Sequence, residues 1–303
     1  ALLQMPAPIE KQTAFNHTVA AAMGFDFNAG RMDVSMHPFC AGLCPGDVRM
    51  TTRYEERAPA VSLFSVMHET GHGLYEQGLD PAHTGTPLGD VVSLGIHESQ
   101  SRLWENMVGR SRPFWQYFYP KFQAEFSAWR DVSLEDWLFA INAVQPSFIR
   151  VDADEVTYGL HVMLRFDLER QMLSGSLAVK DLPEAWNEGL RQLLGITPPS
   201  DAEGCLQDVH WSAGLWGYFP TYTLGNLYAA QFFAAANQAI PDLDERIARG
   251  DLRTLLDWLR ANIHRHGKRY RAVELVEVVT GQPLSPQPYI EYLKRKYRSL
   301  YGL

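Results

Sequence analysis

Cysteine is scarce in this sequence, with three residues among 303. Cys40, Cys44 and Cys205 are too few for a disulfide framework, and an odd count is typical of a protein in a reducing compartment. Cys40 and Cys44 are four residues apart, a spacing that can hold a metal, but no second Cys or His pair lies nearby. We expect two reduced thiols in a loop.

Long apolar runs are also missing. The stretch from Tyr228 to Ile240 is the nearest approach, and Gln231, Asn237 and Gln238 interrupt it. A transmembrane helix needs about 18 or more apolar residues in a row, so none is expected. The first residues lack the basic and apolar regions of a secretory signal. We therefore expect a soluble, cytoplasmic protein.

Positive charge is not in excess. Lys and Arg number 27 and Asp and Glu number 35, which gives a net charge of −8. This balance argues against general binding to nucleic acid or to an anionic membrane. Apolar residues make up 46% of the chain and charged residues 20%, which are globular values and exclude disorder as the main state.

Helical patterns dominate the sequence after about residue 60. Before them, within about residues 31–57, alternating Val and Met residues and a Gly/Pro-rich turn predict two short strands. The fold class that we expect is mainly α, with one small β element, in a single domain over residues 1–303. The predicted helices span 9–23, 62–76, 94–108, 114–129, 134–142, 152–174, 182–194, 223–239, 252–266, 272–280 and 286–300.

The strongest chemical signal is the segment His68-Glu69-Thr70-Gly71-His72. Two His residues four apart share one face of a helix, so both imidazoles can reach one cation. Glu69 can then take a proton from an attacking water, as in HExxH metallopeptidases. The apolar residues before His68 indicate a buried helix, as a dry metal site requires.

A catalytic zinc site needs a third protein ligand. Glu98 lies 26 residues after His72 on the next predicted helix, and a helix–loop–helix return would bring it back to the first helix. His83 is the alternative, but it falls in the intervening loop, where no helix would fix its position.

Six short motifs, in order, resemble the M32 metallocarboxypeptidases of the carboxypeptidase Taq type. They are HPF at 37–39, DxRxT at 47–51, HETGH at 68–72, HESQS at 97–101, IRxxAD at 149–154 and GxxQDxHW at 204–211. The family has a long helical segment before HPF, which here begins at residue 37. The resemblance thus implies a short or N-terminally truncated member.

The resemblance implies a mainly helical, zincin-like (gluzincin) fold and a homodimeric enzyme that removes C-terminal residues from peptides. Its divalent metal would be Zn²⁺, with Co²⁺ or Mn²⁺ as alternatives. By motif position, His68, His72 and Glu98 would bind the metal, Glu69 would be the general base, and Arg150 would hold the substrate carboxylate. The alternatives are a related helical zinc endopeptidase or peptidyl-dipeptidase, or an inactive fragment that needs a missing N-terminal part.

The residues support this chemistry independently. An Arg presents a planar fork that matches a carboxylate, and Arg150, Tyr158 and Arg165 have spacings that predict one helix face lining a cleft. A tetrahedral oxyanion needs a second donor, for which the Gly-rich stretch 204–225 offers candidates. We expect Glu69, His210 and Tyr222 to act in catalysis and Arg150, Gln207 and Tyr218 to bind substrate.

Overall fold

The computed structural model describes residues 2–303, and helices form most of this part of the chain. Short 3₁₀ turns join many of them, and a π-helical segment, Leu103–Val108, directly follows the third helix. This architecture confirms the mainly α fold class. The helices are α1 (Ile9–Met23), α2 (Pro59–Glu76), α3 (Leu94–Arg102), α4 (Arg112–Glu125), α5 (Leu134–Ile141), α6 (Tyr158–Ser174), α7 (Leu182–Leu194), α8 (Pro220–Ala239), α9 (Leu243–Ala248), α10 (Arg253–Asn262), α11 (Ala272–Thr280) and α12 (Gln287–Tyr301).

The chain divides into two compact units. The first unit comprises the residues up to Ile141 together with Gly225–Leu303, and the second comprises Asn142–Leu224. The sheet and helices α1–α5 and α9–α12 lie in the first unit, and α6 and α7 lie in the second. A single catalytic domain over residues 1–303 stays a prediction.

The small sheet has three strands, β1 (Gly30–Val34), β2 (Cys40–Cys44) and β3 (Asp47–Thr52), in the order β1-β3-β2. β1 runs parallel to β3, and β2 runs antiparallel to it. The central strand is the buried one, and the hydroxyl of Thr70 on α2 contacts the sulfur of Met50 at 3.6 Å. The sheet therefore packs against the helix that carries the HETGH motif.

The two predicted strands correspond to β1 and β3, but β2 was not predicted, and its two cysteines were wrongly expected in a loop. Cys40 and Cys44 are free thiols at the two ends of β2. Four residues of extended chain span about 13 Å, so the two sulfurs cannot share one metal ion. The segment from Cys40 to Gly42 consists of small residues with little alternation, which hid the strand in the sequence.

Aromatic side chains form much of the core of the first unit. Phe114, Trp115, Phe118 and Phe122 project from α4 and are almost completely buried. Phe122 alone makes ring contacts with six other aromatic residues, and such pairs add to the free energy gained by apolar burial. Its partners are Phe15, Trp115, Tyr119, Phe126, Trp129 and Trp137.

The second unit has its own core between α6 and α7. Leu164 and Leu168 of α6 pack with Trp186 and Leu190 of α7, as i, i+4 spacing on both helices predicts. α7 ends at Gly195, whose φ of 73° is the left-handed conformation that commonly terminates a helix. Two packed helices therefore form the apolar core of the second unit.

None of the helices in residues 2–303 combines the length and apolar composition that crossing a bilayer requires.

Candidate functional site

Three predicted ligands meet in the first unit. Nε2 of His68 and Nε2 of His72 lie 3.6 Å and 3.5 Å from Oε2 of Glu98. Ligands bound at 2.0–2.1 Å in a tetrahedral site lie about 3.3 Å apart, so this spacing fits one small divalent cation. His83 ends a short 3₁₀ helix and is not part of the group. The residues that the helical spacing predicted are thus placed as a metal site requires.

Glycine allows this close approach. A Cβ on Gly71, within the HETGH motif, would lie only 2.6 Å from the backbone at Gln100 and Ser101 of α3. A Cβ on Gly225 of α8 would lie 2.4 Å from Cγ of Glu98. Both glycines lack a side chain where the backbone must come nearest to the third ligand. Gly71 therefore lets α3 lie close to α2, and Gly225 lets α8 lie close to Glu98.

Hydrogen bonds fix the orientation of Glu98 and of His68. Oε1 of Glu98 accepts from Nε of Arg102 at 2.8 Å, and the Ser101 hydroxyl donates to its Oε2 at 3.2 Å. Nδ1 of His68 lies 2.9 Å from Oε2 of Glu105, in the π-helical segment. Such outer partners hold metal ligands in place and set their basicity.

The electrostatics of the ligands suit a cation. Burial lowers the pKa of His72 to about 3, so its ring is neutral at pH 7. Burial alone would raise the pKa of Glu98, but Arg102 and His68 outweigh it and hold that pKa well below its usual range. The same balance, with Arg102 and His68 as partners, lowers the pKa of Glu105 to about 2. Metal ligands must be deprotonated, which these shifts favour for His72 and Glu98. At His68 burial lowers the pKa, but the nearby carboxylates of Glu98, Glu105 and Glu69 outweigh it and raise that pKa, so a cation must displace a proton there.

Glu69 differs from the other carboxylates of the site. It is 7% exposed, and burial raises its pKa to about 7 while the nearby His68 opposes the shift. A general base works best when its pKa lies near the working pH. The chain thus places a proton acceptor of suitable strength directly beside the first ligand.

A second polar cluster lies in the second unit, around Asp208. Nη2 of Arg150 donates to Oδ1 of Asp208 at 2.7 Å, and Nε of Arg165 donates to Oδ2 at 2.6 Å. Nη1 of Arg150 donates to the Tyr158 hydroxyl at 3.0 Å. Arg150 is 5% exposed and Arg165 is completely buried. Two buried guanidinium groups therefore share one carboxylate, and the three groups together carry a net positive charge.

Gln207 fixes the backbone and side chains of this cluster. Its Oε1 accepts from the backbone N–H of Arg150 and from Nη2 of Arg165, both at 2.8 Å. Its Nε2 donates to the carbonyls of Phe148 and Glu203 at 2.9 Å. These bonds use the whole amide, so substrate binding by Gln207 would require one of them to break.

The expected oxyanion donors lie in the same unit. Nε2 of His210 is 2.9 Å from the Tyr222 hydroxyl, and the rings of His210 and Tyr218 have centroids 5.4 Å apart. The Arg150 guanidinium lies 4.7 Å from the centroid of the Tyr222 ring. The structure thus brings all five predicted residues of the second unit into one cluster around Arg150.

The expected helix face was wrong in its geometry. Arg150 lies in a 3₁₀ turn, Arg150–Asp152, whereas α6 begins at Tyr158. The carboxylate of Asp154 accepts from the backbone N–H groups of Val156 and Thr157, which forms a turn before the helix. Arg150 and Arg165 meet through Asp208 instead of through helical spacing.

Several residues of these clusters were not singled out from the sequence. Glu105 contacts His68, Glu76 contacts His97, and Asp208 joins the two arginines. Glu76 follows His72 by one helical turn, a signal that was present in the sequence. Asp208 belongs to the GxxQDxHW motif, but its role was not predicted, because its partners are 43 and 58 residues away.

Known proteins with similar sequences are carboxypeptidases. The sequence is 54% identical over 301 residues to thermostable carboxypeptidase 1 of Thermus thermophilus and 45% identical over 297 residues to carboxypeptidase 1 of Bacillus subtilis. These alignments include 99% and 98% of this chain but 59% of each relative. The chain therefore spans about three fifths of the length of the curated relatives it matches.

Similar proteins of known structure are also carboxypeptidases, and this chain again spans only part of each. The M32 carboxypeptidase from Deinococcus radiodurans superimposes with a TM-score of 0.98 at 50% identity, over 100% of this chain and 61% of that one. The Pyrococcus furiosus carboxypeptidase superimposes with a TM-score of 0.95 at 41% identity, over 98% and 60%. The family profile described as carboxypeptidase Taq (M32) metallopeptidase matches residues 1–297. The chain belongs to the M32 family of metallopeptidases.

Proposed function

We propose that this chain carries the catalytic residues of a metal-dependent carboxypeptidase, which hydrolyses the C-terminal peptide bond of peptides. The observation that carries the proposal is the meeting of His68, His72 and Glu98 beside the buried Glu69. This set of groups is what metal-assisted hydrolysis requires. The names of the relatives, which are carboxypeptidases, support the same activity.

His68, His72 and Glu98 would hold the metal. Two imidazoles and one carboxylate suit Zn²⁺, our first expectation, and also Co²⁺ and Mn²⁺. A divalent cation supplies Lewis-acid polarisation of the scissile carbonyl and lowers the pKa of water. Glu69 accepts the proton of the attacking water and then donates it to the leaving amine, tasks that suit a carboxyl group with a pKa near 7.

Arg150 would hold the free C-terminal carboxylate of the substrate. Arg150 and Arg165 are buried and share the single carboxylate of Asp208, so one positive charge has no counterion within this trio. A buried, uncompensated charge is costly, and an anionic ligand relieves that cost. Asp208 and Tyr158 take three of the five N–H groups of Arg150, and two remain for a substrate carboxylate.

His210 and Tyr222 would donate hydrogen bonds to the developing oxyanion, and Tyr218 would contact the substrate. Their support is the donor inventory of the cluster and the 2.9 Å contact between His210 and Tyr222. The partner is thus a peptide with a free C-terminal carboxylate. A homodimeric state and a cytoplasmic location stay predictions.

The test is a pair of N-blocked peptides that differ only at the C-terminus, one a free acid and one an amide. The Zn²⁺-loaded chain should release the C-terminal amino acid from the acid at least about 10-fold faster than it cleaves the amide, because a charge-assisted hydrogen bond contributes about 1.5–3 kcal/mol. Equal rates would contradict the carboxypeptidase assignment and favour an endopeptidase. A metal-loaded chain that cleaves neither peptide would contradict the proposed peptidase activity.

A second test is the variant Glu69→Gln, which keeps the shape of the side chain and removes its ability to accept a proton. We expect this variant to bind Zn²⁺ as the unmodified chain does and to lose activity by several orders of magnitude. An unimpaired variant would exclude Glu69 as the general base.

A further inference from the structure

We infer that His97 and Glu76 are a pair of positioning residues for the metal ligand His72. They determine which nitrogen of its ring carries the hydrogen, and they fix the orientation of the ring. Nδ1 of His72 is in hydrogen-bond contact with Nδ1 of His97, and Nε2 of His97 lies 2.8 Å from Oε1 of Glu76. The three side chains thus form one chain of contacts that ends on a carboxylate. The inference rests on the proposed metal site.

The fold brings these residues together from two helices. Glu76 lies one turn after His72 on α2, and His97 directly precedes the ligand Glu98 on α3. His97 therefore reaches back to α2 from the helix that supplies the third ligand. The contacts tie α2 and α3 together at the metal site.

One placement of the ring hydrogens satisfies every contact between His72, His97 and Glu76. Nε2 of His72 faces Glu98 and is the atom available to the metal, so the ring hydrogen of His72 lies on Nδ1. This N–H donates to Nδ1 of His97, which must then be unprotonated. His97 carries its own hydrogen on Nε2 and donates it to Glu76. Each group has one role, and the carboxylate is the final acceptor.

The two ligand histidines differ in this support. His68 contacts Glu105 directly, and Glu105 is also paired with Arg102 and Arg110. Two arginines share the charge of Glu105, whereas the carboxylate of Glu76 forms its ion pair with His97. Glu76 therefore makes the ring of His72 a stronger donor to a cation.

The sheet leaves room for this carboxylate. A Cβ on Gly42 of β2 would lie 2.4 Å from Oε2 of Glu76. Gly42 has no positive φ, so the close contact and not the backbone conformation explains the glycine. Strand β2 thus leaves space for the carboxylate of Glu76, which accepts the last hydrogen bond of the series.

The test is the affinity of the chain for Zn²⁺, measured by competition with a fluorescent chelator, which needs no peptide hydrolysis. Glu76→Gln keeps the size of the side chain and removes its charge, and we expect binding to weaken about 10- to 100-fold. Glu76→Asp should recover part of this loss. Glu135→Gln, which removes an exposed carboxylate paired with Arg112, is the matched control and should leave the affinity unchanged.

Two further measurements separate positioning from general damage. The urea midpoint of the metal-free Glu76→Gln chain should stay unchanged, while the visible absorption spectrum of its Co²⁺ form should shift. His97→Phe should weaken Zn²⁺ binding by a similar factor. The double variant should lose no more Zn²⁺ affinity than the weaker-binding single variant, because Glu76 acts on His72 through His97. Unchanged affinity, or losses that multiply in the double variant, would overturn the inference. A chain that binds Zn²⁺ as expected but does not hydrolyse peptides would contradict only the proposed function.

Discussion

Replacement of Gly71 by alanine tests how the metal site is built. Gly71 lies in α2 between Glu69 and His72 and has an ordinary helical φ. Its missing side chain allows the backbone of α3 at Gln100 and Ser101 to approach within 2.6 Å of where a Cβ would be. An added methyl group must therefore push α3, and Glu98 with it, away from α2.

The size of the effect follows from this distance. Ordinary van der Waals contact begins at 3.4 Å, so the helices must separate by about 0.8 Å. The better helix propensity of Ala contributes about 1 kcal/mol, and overpacking costs about 1–3 kcal/mol, so the net loss of stability is about 0–2 kcal/mol. Metal ligands tolerate about 0.2 Å of displacement. We therefore expect Zn²⁺ affinity to fall by about 10-fold or more.

The assay combines urea unfolding of the metal-free chain with a chelator competition for Zn²⁺. Gly159→Ala is the control, because Gly159 also lies in a helix with an ordinary φ and a Cβ there would meet no atom within 4 Å. The control should gain up to about 1 kcal/mol and keep its Zn²⁺ affinity. If Gly71→Ala gains as much stability as the control and binds Zn²⁺ within twofold of the unmodified chain, the close-approach argument is wrong.

Two further predictions concern stability. Phe122→Ala should cost about 3–5 kcal/mol in urea unfolding, because it empties the centre of the aromatic core, and a loss below about 1 kcal/mol would contradict that role. Burial, Arg165 and Arg150 lower the pKa of His161 to about 4, so its ring stays neutral in the folded chain while the unfolded ring gains a proton. As the pH falls from about 6.5 to 4, the unmodified chain should therefore lose up to about 3 kcal/mol relative to His161→Leu, and parallel pH profiles of the two proteins would refute this.

The metal site was predictable because its ligands lie on regular helices. His68 and His72 are separated by one turn, so the sequence spacing directly gives their geometry. Glu98 required one further assumption, that α3 returns against α2, and the Gly-rich loop between them made this reasonable. In regular secondary structure, the spacing of two residues along the sequence gives the distance between them, which is why the two histidines could be placed without knowledge of the tertiary fold.

The second cluster was harder to predict because it depends on tertiary contacts. The sequence suggested Arg150 and its motif but placed Arg150 on a helix that begins later, at Tyr158. The turn formed by Asp154 competes with helix formation, and single-sequence patterns do not resolve such competition. Asp208 orients both arginines from a loop, so no periodic pattern includes it.

The helices were predicted better than the short elements. The bounds expected for α1, α7 and α11 agree with the structure, since each ends at a glycine that adopts a positive φ. β2 and the six-residue α9 were missed. Both are short, and tertiary packing, not local propensity, stabilises elements of that length.

The position of the ligands along the chain has a consequence for folding. His68, His72 and Glu98 fall within the single segment formed by α2, the following loop and α3. Contacts between neighbouring elements close short loops, which costs little entropy and favours early formation. Gly225, which lies against Glu98, comes from a helix more than a hundred residues later. The two helices can therefore bring the ligands together early, and the arrival of α8 completes the packing around Glu98.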